Sequence, residues 1–331
     1  MIDKEKLEKI FQNFKFKSKI LDLRKVGYLQ DVIIKNDEVG CIINVTEENA
    51  EFIQQISNSL KSTLSAIEGV KKANIVFTGV TAPKESNAKK IEIPGVKRLI
   101  LVSSGKGGVG KSTIAFLLSL FLAKKGFKTG ILDADIYGPS LPALTNRYEK
   151  PEIVDGKMIP YIFEGVKVNS IGYLIPEGKA LVWRGPMITK ALHQLLSSTD
   201  WGDLDFLIVD MPPGTGDIHL TICEKYSIDS VYMVSTPQEL SIVDVSRAVD
   251  MYKKLGVEIS GIIQNMSFFQ DSSGEKHYLF GKEDLLKEYS AKNNIQIIAQ
   301  VPIEQDLLSN AFNNLKIQES FDSILKSIQQ N

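Results

Sequence analysis

The chain has 331 residues and a formal net charge of -1 at pH 7, from 39 Lys and Arg against 40 Asp and Glu. A balance this even gives the whole chain no positive field, so its composition favours neither nucleic acid nor an anionic membrane as a partner. The two cysteines, Cys41 and Cys223, lie far apart and lack metal-ligand spacing. They therefore predict neither a disulfide framework nor a zinc site.

The first residues, MIDKEKLEKIF, mix acids and bases where a signal peptide needs an uninterrupted apolar core. No apolar run along the sequence reaches membrane-spanning length. With so few cysteines as well, these features predict a cytoplasmic protein.

Residues 1–79 carry the pattern of a small α+β domain. Apolar residues at helical spacing predict two helices. They are Leu7, Ile10, Phe11 and Phe14 in the first, and Ile53, Ile56, Leu60, Leu64 and Ile67 in the second. Apolar runs at 32–34 and 41–45 predict a hairpin, and 73–77 predicts a third strand, giving the order α-β-β-α-β. The polar, proline-marked stretch 80–97 predicts a linker.

Residues 98–331 follow a different pattern, in which short apolar runs alternate with helical stretches or loops. The runs lie at 99–102, 129–132, 206–209, 230–234, 261–263 and 296–299. Strands that are apolar along their whole length are typical of a mainly parallel sheet covered by helices on both faces. This part of the chain is therefore predicted to be an α/β domain.

The stretch SSGKGGVGKST at 103–113 follows the first of these runs and fits two nucleotide-binding patterns. Gly105, Gly107 and Gly110 spell the dinucleotide fingerprint G-x-G-x-x-G, while 105–112 spells the phosphate loop G-x-x-x-x-G-K-[ST]. In both patterns glycines let the backbone approach phosphate, and a helix N-terminus offers free N-H groups. Glycine spacing therefore decides nothing, and Asp133 fits the ribose-binding acid of the dinucleotide alternative.

The residues after the third glycine favour the phosphate loop. Lys111 offsets the charge of the β- and γ-phosphates, and Ser112 offers a hydroxyl ligand to Mg²⁺. Asp210, which ends the run at 206–209, is the acid expected to hold the metal's water shell. The sequence thus predicts a P-loop NTPase that binds a nucleoside triphosphate with Mg²⁺. The predicted nucleotide contacts are Gly105, Lys106, Gly107, Gly108, Val109, Gly110, Lys111, Ser112 and Thr113.

The second lysine of the loop, Lys106, starts too far from its own γ-phosphate to add much, but it could reach a partner's nucleotide across a two-fold interface. Here the chain resembles the deviant-Walker ATPases, whose GKGGVGKS loop carries this lysine and whose members sandwich two ATP molecules between subunits. The resemblance implies an ATP-dependent homodimer.

Two acids in DADIYGPS, at 133–140, belong to the same resemblance. It implies that Asp135 orients the attacking water and that Asp133 lies near the waters of Mg²⁺. The implied catalytic residues are therefore Lys106, Lys111 and Asp135. The alternative from the residues alone is that both acids cap a turn and are solvated.

Two later segments complete the predicted nucleotide site. DMPPGTGD, at 210–217, joins a stiff part to a flexible one, which suits a switch loop that senses the γ-phosphate. The resemblance assigns base reading to Asn265, since an amide pairs with a donor and an acceptor on adenine. Local turn contacts by Asn265 are the alternative.

The remaining polar and apolar signals have structural interpretations. His193, His219 and His277 are isolated in the sequence, so each is predicted to be a surface or partly buried histidine outside any metal cluster. A C-terminal stripe of Phe321, Ile324, Leu325 and Ile328 predicts a core-packing helix, because Lys326 is the lone base beside it.

Several phrases narrow the resemblance further. They are DADIYGPSLP, WRGPM, DMPPGTGD, STPQE and QNMSFF, at 133–142, 183–187, 210–217, 235–239 and 264–269. Together they resemble the Mrp/ApbC group of iron-sulfur cluster carrier ATPases, over essentially all of 97–331, and the N-terminal module is similar to one often fused to these carriers. The resemblance implies a slow Mg²⁺-dependent ATPase that binds a [4Fe-4S] cluster between subunits. Its implied partners are apo iron-sulfur proteins and assembly factors.

The chain departs from that group at the expected cluster ligands. Group members carry C-x-x-C-G soon after the NMS phrase, and here Gln270 and Ser273 occupy the two cysteine positions. Cys41 and Cys223 are predicted to be buried small apolar residues. Residues 45–49, VTEEN, occupy the position where relatives often have a reactive cysteine, and they contain none. Cluster ligands are thus unassigned.

Two alternative functions bear on this departure. One is a nucleotide-switched dimeric scaffold that takes part in iron-sulfur protein maturation and holds no cluster. The other, a partitioning ATPase acting on DNA or membrane, predicts a basic patch or a basic terminal helix, and the sequence shows neither.

Overall fold

A computed structural model describes residues 4–16, 19–23, 29–35, 37–44, 50–67, 69–78, 90–174, 185–281 and 284–330. The segment 45–49, most of the predicted linker and the first residues of the WRGPM phrase lie outside the described residues. The chain divides into two compact units, 1–89 and 90–331. Within the described ranges, no helix is both long and apolar enough to cross a membrane.

The smaller unit is an α+β fold. Its elements are α1 Lys4–Gln12, β1 Phe14–Phe16, β2 Lys19–Leu21, β3 Leu29–Lys35, β4 Glu38–Asn44, α2 Ala50–Ser65 and β5 Lys72–Thr78. Strand β4 pairs antiparallel with β3 and parallel with β5. Phe11, Cys41 and Leu60 are fully buried in its core.

The predicted order α-β-β-α-β is present with one addition, the hairpin of β1 and β2. Helical spacing placed Phe14 on the first helix, but α1 ends at Gln12 and Phe14 is buried in β1. The alternation of Phe14, Lys15 and Phe16 suits a strand with one buried face.

The larger unit is a P-loop NTPase fold. Its elements are β6 Val96–Ser104, α3 Lys111–Lys124, β7 Thr129–Asp133, α4 Leu141–Thr145, β8 Ile153–Val154, β9 Lys157–Met158, β10 Tyr161–Phe163, β11 Val166–Ser170, α5 Gly185–Ser197, β12 Leu204–Pro213, α6 Asp217–Lys225, β13 Ser230–Ser235, α7 Glu239–Lys254, β14 Ile259–Gln264, β15 Phe269–Gln270, β16 Lys276–His277, α8 Asp284–Asn293, β17 Ile297–Gln300, α9 Leu307–Asn310 and α10 Leu315–Gln330.

Among the described residues, the central sheet has eight strands in the order β10-β11-β7-β12-β6-β13-β14-β17. In this sheet order, the seven strands β11, β7, β12, β6, β13, β14 and β17 run parallel to one another. Strand β10 pairs antiparallel with β11 and forms one edge of the sheet. The chain moves to one side of β6 for β7 and β12, then to the other side for β13 and β14. Such a switch point opens a crevice at the carboxyl ends of the strands, where ligands bind.

Helices cover both faces of this sheet. Along β6, Leu99 and Leu101 face a core shared with α5 to α8, while Ile100 and Val102 face a core shared with α3 and α10. This two-sided burial explains why the strand runs are apolar at every position. The C-terminal stripe on α10 lies in the second core, which confirms its predicted packing role.

All the strand runs predicted in this unit are confirmed. Strands β15 and β16 were missed, and so were two hairpins, β8-β9 and β10-β11. Each hairpin turns on a pair with positive φ, Asp155-Gly156 at 50° and 77° and Glu164-Gly165 at 45° and 81°. Asp-Gly is a strong hairpin signal that the sequence analysis did not use. The end of the predicted linker, 90–97, lies in the larger unit, because Ile91 bridges Tyr226 and β6 already begins at Val96.

Candidate nucleotide-binding site

The glycine-rich loop joins the end of β6 to the start of α3, at the switch point of the sheet. A Cβ on Gly105 would lie 2.2 Å from the Asp244 carbonyl carbon in α7. Gly110 has φ +80°, and a Cβ there would lie 2.2 Å from Asn265 Nδ2. These two glycines let the loop press against its neighbours. No side chain caps α3, so its first N-H groups are available to an anion.

Lys111, the first residue of α3, gathers the other predicted phosphate and metal residues. Its buried ammonium pairs with the Asp210 carboxylate, lies 4.0 Å from Asp135 Oδ2 and donates to Ser112 Oγ at 3.3 Å. Asp210 Oδ2 is buried and has no hydrogen-bond partner among the described residues. An unpartnered carboxylate oxygen near a hydroxyl matches the hard oxygen ligands of Mg²⁺. The residues present therefore fit this ion.

Asp133 holds the loop that follows β7. Its Oδ1 accepts from Asp135 N at 3.0 Å, and its Oδ2 accepts from Ser140 N at 2.8 Å, Leu141 N at 3.0 Å and Ser170 Oγ at 3.0 Å. Burial, with the Asp210 carboxylate as the second cause, raises the pKa of Asp133 to about 7. Asp133 thus caps a turn, as the alternative to a catalytic role predicted. It is buried, however, and not solvated as that alternative expected.

Asp135 faces two ways. Its Oδ1 accepts from Tyr137 N and Gly138 N, at 3.2 Å each, and its Oδ2 is the oxygen turned toward Lys111. The turn therefore fixes one oxygen and leaves the other directed into the site.

Lys106 is held within its own subunit. Its Nζ donates to Gln238 Oε1 at 2.8 Å, and Gln238 directly precedes α7. Gln238 belongs to the STPQE phrase, but no role was predicted for it. The sequence does not show which side chain Gln238 contacts, because Lys106 is distant in sequence. The two residues come together only after the sheet has formed.

Asn265 follows β14 and is 3% exposed. Its Nδ2 donates to Val109 O at 2.9 Å, and this hydrogen bond holds the phosphate loop against the end of β14. This contact supports the local role, and base recognition by Asn265 stays a prediction.

The predicted switch segment begins inside β12. Gly214 N donates to Ser104 O at 2.8 Å, which ties the segment to the end of β6. His219, on α6, is fully buried, packs on the Tyr252 ring and has Nε2 3.5 Å from Ser103 Oγ. Burial lowers the pKa of His219 to about 4. The prediction of a surface or partly buried histidine is wrong here, because α6 turns this side chain into the core.

Gln270 and Ser273 belong to a hairpin at 269–277 formed by β15 and β16. In this hairpin, His277 Nε2 lies 2.8 Å from Asp271 Oδ2. Glu275 contributes a third ligand-type atom, and the three lie within 4.8 Å of one another. The turn brings together residues that are separated in the sequence, so His277 lies beside two carboxylates although it is isolated in the sequence.

The two cysteines are buried, as predicted. Cys41 is 0% exposed and Cys223 is 1% exposed. Burial raises the pKa of Cys223 to about 12, so its thiol stays protonated and is a poor metal ligand.

The larger unit matches a family model described as the NUBPL iron-transfer P-loop NTPase over residues 95–329. Proteins named iron-sulfur cluster carrier protein are also similar to the chain. One from Rickettsia felis is 43% identical over 277 residues, covering 83% of each chain. Another, from Aquifex aeolicus, is 34% identical over 320 residues, covering 92% of this chain and 87% of its own.

Two solved structures resemble the fold. A nucleotide-binding protein from Archaeoglobus fulgidus, in complex with ADP and with cobalt found, has a TM-score of 0.58 at 36% identity, over 69% of this chain and 91% of that one. The cell division ATPase MinD from Pyrococcus furiosus has a TM-score of 0.50 at 17% identity, over 71% of this chain and 99% of its own, which supports the fold alone. The chain therefore belongs to the NUBPL-type iron-transfer P-loop NTPases, the family of the iron-sulfur cluster carrier proteins.

Proposed function

We propose that this chain is a slow Mg²⁺-dependent ATP hydrolase that works as a homodimer and carries iron-sulfur clusters to apoproteins. The observation behind the proposal is the convergence of Lys111, Ser112, Asp135 and Asp210 at a glycine loop. The names of its relatives support the cargo, and the ADP complex of a 36% identical protein supports the nucleotide.

Nucleotide binding requires Lys111 to change partners. Without nucleotide, its ammonium is neutralised by Asp210. When bound, Mg²⁺ would supply positive charge that offsets the charge of the phosphates. Asp210 Oδ2 and Ser112 Oγ would hold the ion, and the Lys111 ammonium would then be free to pair with the phosphates alongside the loop N-H groups.

Hydrolysis depends on positioning and electrostatics. Asp135 keeps one oxygen fixed by its turn, so the other can hold the attacking water in line with the γ-phosphate. Lys106 would leave Gln238 and act on the partner's nucleotide, which makes hydrolysis depend on dimerisation.

The test compares Lys111→Ala with Lys253→Ala, an exposed lysine on α7. Lys111→Ala should reduce phosphate release by about a hundredfold to a thousandfold, the range of losses for a single electrostatic donor. Lys253→Ala should keep wild-type turnover. Calorimetry should show heat from Mg·ATP binding in the wild type, and wild-type turnover by Lys111→Ala would overturn the proposal.

A second candidate is the scaffold that holds no cluster itself. It is favoured by Gln270 and Ser273 at the expected thiolate positions and by the burial of both cysteines. A bridging [4Fe-4S] cluster needs thiolate ligands, which this region does not offer. Anaerobic reconstitution, followed by visible absorption and by iron and sulfide counting, separates the two. A stoichiometric cluster would exclude the scaffold, and its absence would exclude the carrier.

A further inference from the structure

The hairpin at 269–277 offers ligands of a kind that the nucleotide site does not. We propose that Asp271, Glu275 and His277 bind a single divalent transition-metal ion, of the Zn²⁺, Fe²⁺ or Co²⁺ class, through one imidazole nitrogen and two carboxylate oxygens. The site goes beyond the proposed nucleotide chemistry, and its test does not depend on ATP.

The backbone of the hairpin brings these residues together. Strands β15 and β16 pair antiparallel, with Phe269 opposite His277 and Gln270 opposite Lys276. Side chains alternate between the two faces of such a ribbon. His277 therefore shares a face with Phe269, and their rings lie 6.3 Å apart. Lys276 projects from the other face, where its ammonium sits 4.1 Å from the Phe268 ring centroid.

Asp271 is oriented before any ligand arrives. Its Oδ1 accepts from Ser273 N at 2.9 Å, Ser273 Oγ at 2.7 Å and Glu275 N at 3.0 Å. The other oxygen, Oδ2, meets His277 Nε2 at 2.8 Å. A metal ion would take the place of the proton between these two atoms.

An ordinary ion pair between Asp271 and His277 is the simpler interpretation. That pair uses the carboxylate of Asp271 alone, whereas Glu275 brings a second carboxylate to the same histidine. The three ligand atoms lie within 4.8 Å of one another. Atoms bound to one ion at about 2.0 to 2.2 Å lie roughly 3 to 4 Å apart, so rotation of the exposed Glu275 side chain would close the site.

The surroundings leave room for further ligands. Asp271 borders a groove of about 530 Å³, whose lining also includes Glu304, Asn310 and Asn314. Three protein ligands leave at least one coordination position of a transition metal open, as in metal sites that exchange ligands. The groove supplies space for water or an incoming oxygen or sulfur ligand at that position.

The donor set selects the class of ion. Ca²⁺ and Mg²⁺ prefer oxygen ligands throughout, and iron-sulfur clusters require mainly thiolates. One imidazole with two carboxylates suits borderline ions such as Zn²⁺, Fe²⁺ and Co²⁺. The site would therefore take a mononuclear ion and not a [4Fe-4S] cluster.

The test uses the full-length, tag-free chain, stripped of metal by a chelator and kept free of nucleotide. Co²⁺ is titrated into the protein, and its binding is followed by the visible ligand-field absorption bands. Zn²⁺ is then titrated in, and its binding is measured by calorimetry. We expect one equivalent of Co²⁺ per chain, displaced by Zn²⁺. Failure of Co²⁺ to bind in a saturable way would overturn the proposal.

Variants locate the ion. His277→Ala, Asp271→Asn and Glu275→Gln should each weaken Zn²⁺ binding by more than about tenfold, since each removes a ligand. The matched control is His193→Ala, which removes an imidazole on α5 whose Nδ1 lies 2.6 Å from Tyr226 Oη and which forms no ion pair with a carboxylate in the described part of the chain. Wild-type affinity in all three hairpin variants would overturn the site.

The nucleotide site must be excluded as the source of binding. Asp210→Asn removes its metal-type carboxylate and should leave Co²⁺ binding unchanged, whereas loss of binding there would place the ion at the phosphate loop. Circular dichroism establishes that the hairpin variants are folded, and exposed Glu275→Gln perturbs the fold least. Wild-type ATP turnover by His277→Ala, beside lost Zn²⁺ binding, separates this proposal from the nucleotide proposal.

Discussion

Two regions of the larger unit each set acidic side chains around one side-chain nitrogen, in opposite surroundings. At the phosphate loop, the side chains of Lys111 and Asp210 are 6% and 0% exposed. In the 269–277 hairpin, those of His277 and Asp271 are 43% and 31% exposed. The same kind of pair is enclosed by protein in one region and shared with water in the other.

The difference decides what each pair does. A buried charge without a partner is strongly destabilising, so Lys111 and Asp210 must be matched until a ligand replaces one of them. An exposed pair is screened by water and contributes little to folding. Changes in the buried region should therefore alter folding, while changes in the hairpin should alter ligand binding with little effect on folding.

The largest expected effect comes from unpairing the buried charges. Lys111→Met and Asp210→Asn should each lower the free energy of unfolding by about 3 kcal/mol, because each leaves the other charge buried without its partner. The double variant should lose clearly less than the sum, since it buries neither charge. Urea unfolding of all four proteins measures this coupling. Additive losses would show that the pair is not enclosed as described.

Much of the buried region could be predicted from the sequence. Lys111 and Ser112 lie within one contiguous motif, so the loop and helix place them together without knowledge of the rest of the fold. Asp210 is distant, but it ends an apolar strand of a parallel sheet, and such ends meet at one edge. Gln238 could not be found this way, because its contact with Lys106 depends on how α7 packs.

The second effect tests the buried region by pH. Burial lowers the pKa of His219 to about 4, from the ordinary histidine value of 6.5. Above pH 6.5 the side chain is neutral in both states and contributes no pH dependence. As the pH falls from 6.5 to 4, His219 becomes protonated in the unfolded chain but stays neutral in the folded chain. The free energy of unfolding therefore falls, by about 3 kcal/mol in total.

The measurement compares the wild type with His219→Gln by urea unfolding at steps between pH 7 and pH 4. Carboxylates titrate in both proteins, so only the difference between them reports His219. The wild type should lose more stability over this range than the variant. Parallel curves would mean that water reaches His219 and that its packing against Tyr252 and Ser103 is less closed than described.

The metal-type group in the hairpin and the burial of His219 were not predicted from the sequence. Along α6, Ile218, His219, Ile222 and Cys223 lie on one helical face, so burial of the histidine was readable from its spacing. Asp271, Glu275 and His277 carry no such signal. Strands of two residues are too short to set a register by pattern, and the isolated bridge between Phe269 and Ile303 forms only after the sheet has folded.

The smallest effect compares two glycines of the phosphate loop. Gly108 and Gly110 have φ of +78° and +80°, so alanine at either position carries a similar left-handed strain of about 1–2 kcal/mol. At Gly108 a Cβ meets open space, but at Gly110 it would lie 2.2 Å from Asn265 Nδ2. Asn265 must then give up its 2.9 Å hydrogen bond to Val109 O, which adds about 1 kcal/mol.

Urea unfolding should therefore show a greater loss for Gly110→Ala than for Gly108→Ala. In an Asn265→Ala background the clash and the hydrogen bond are both absent, so the two alanine variants should lose equal amounts. Equal losses already in the wild-type background would mean that Asn265 moves away freely. The loop would then be held by its own backbone conformation and not by the packing that distinguishes this region from the exposed hairpin.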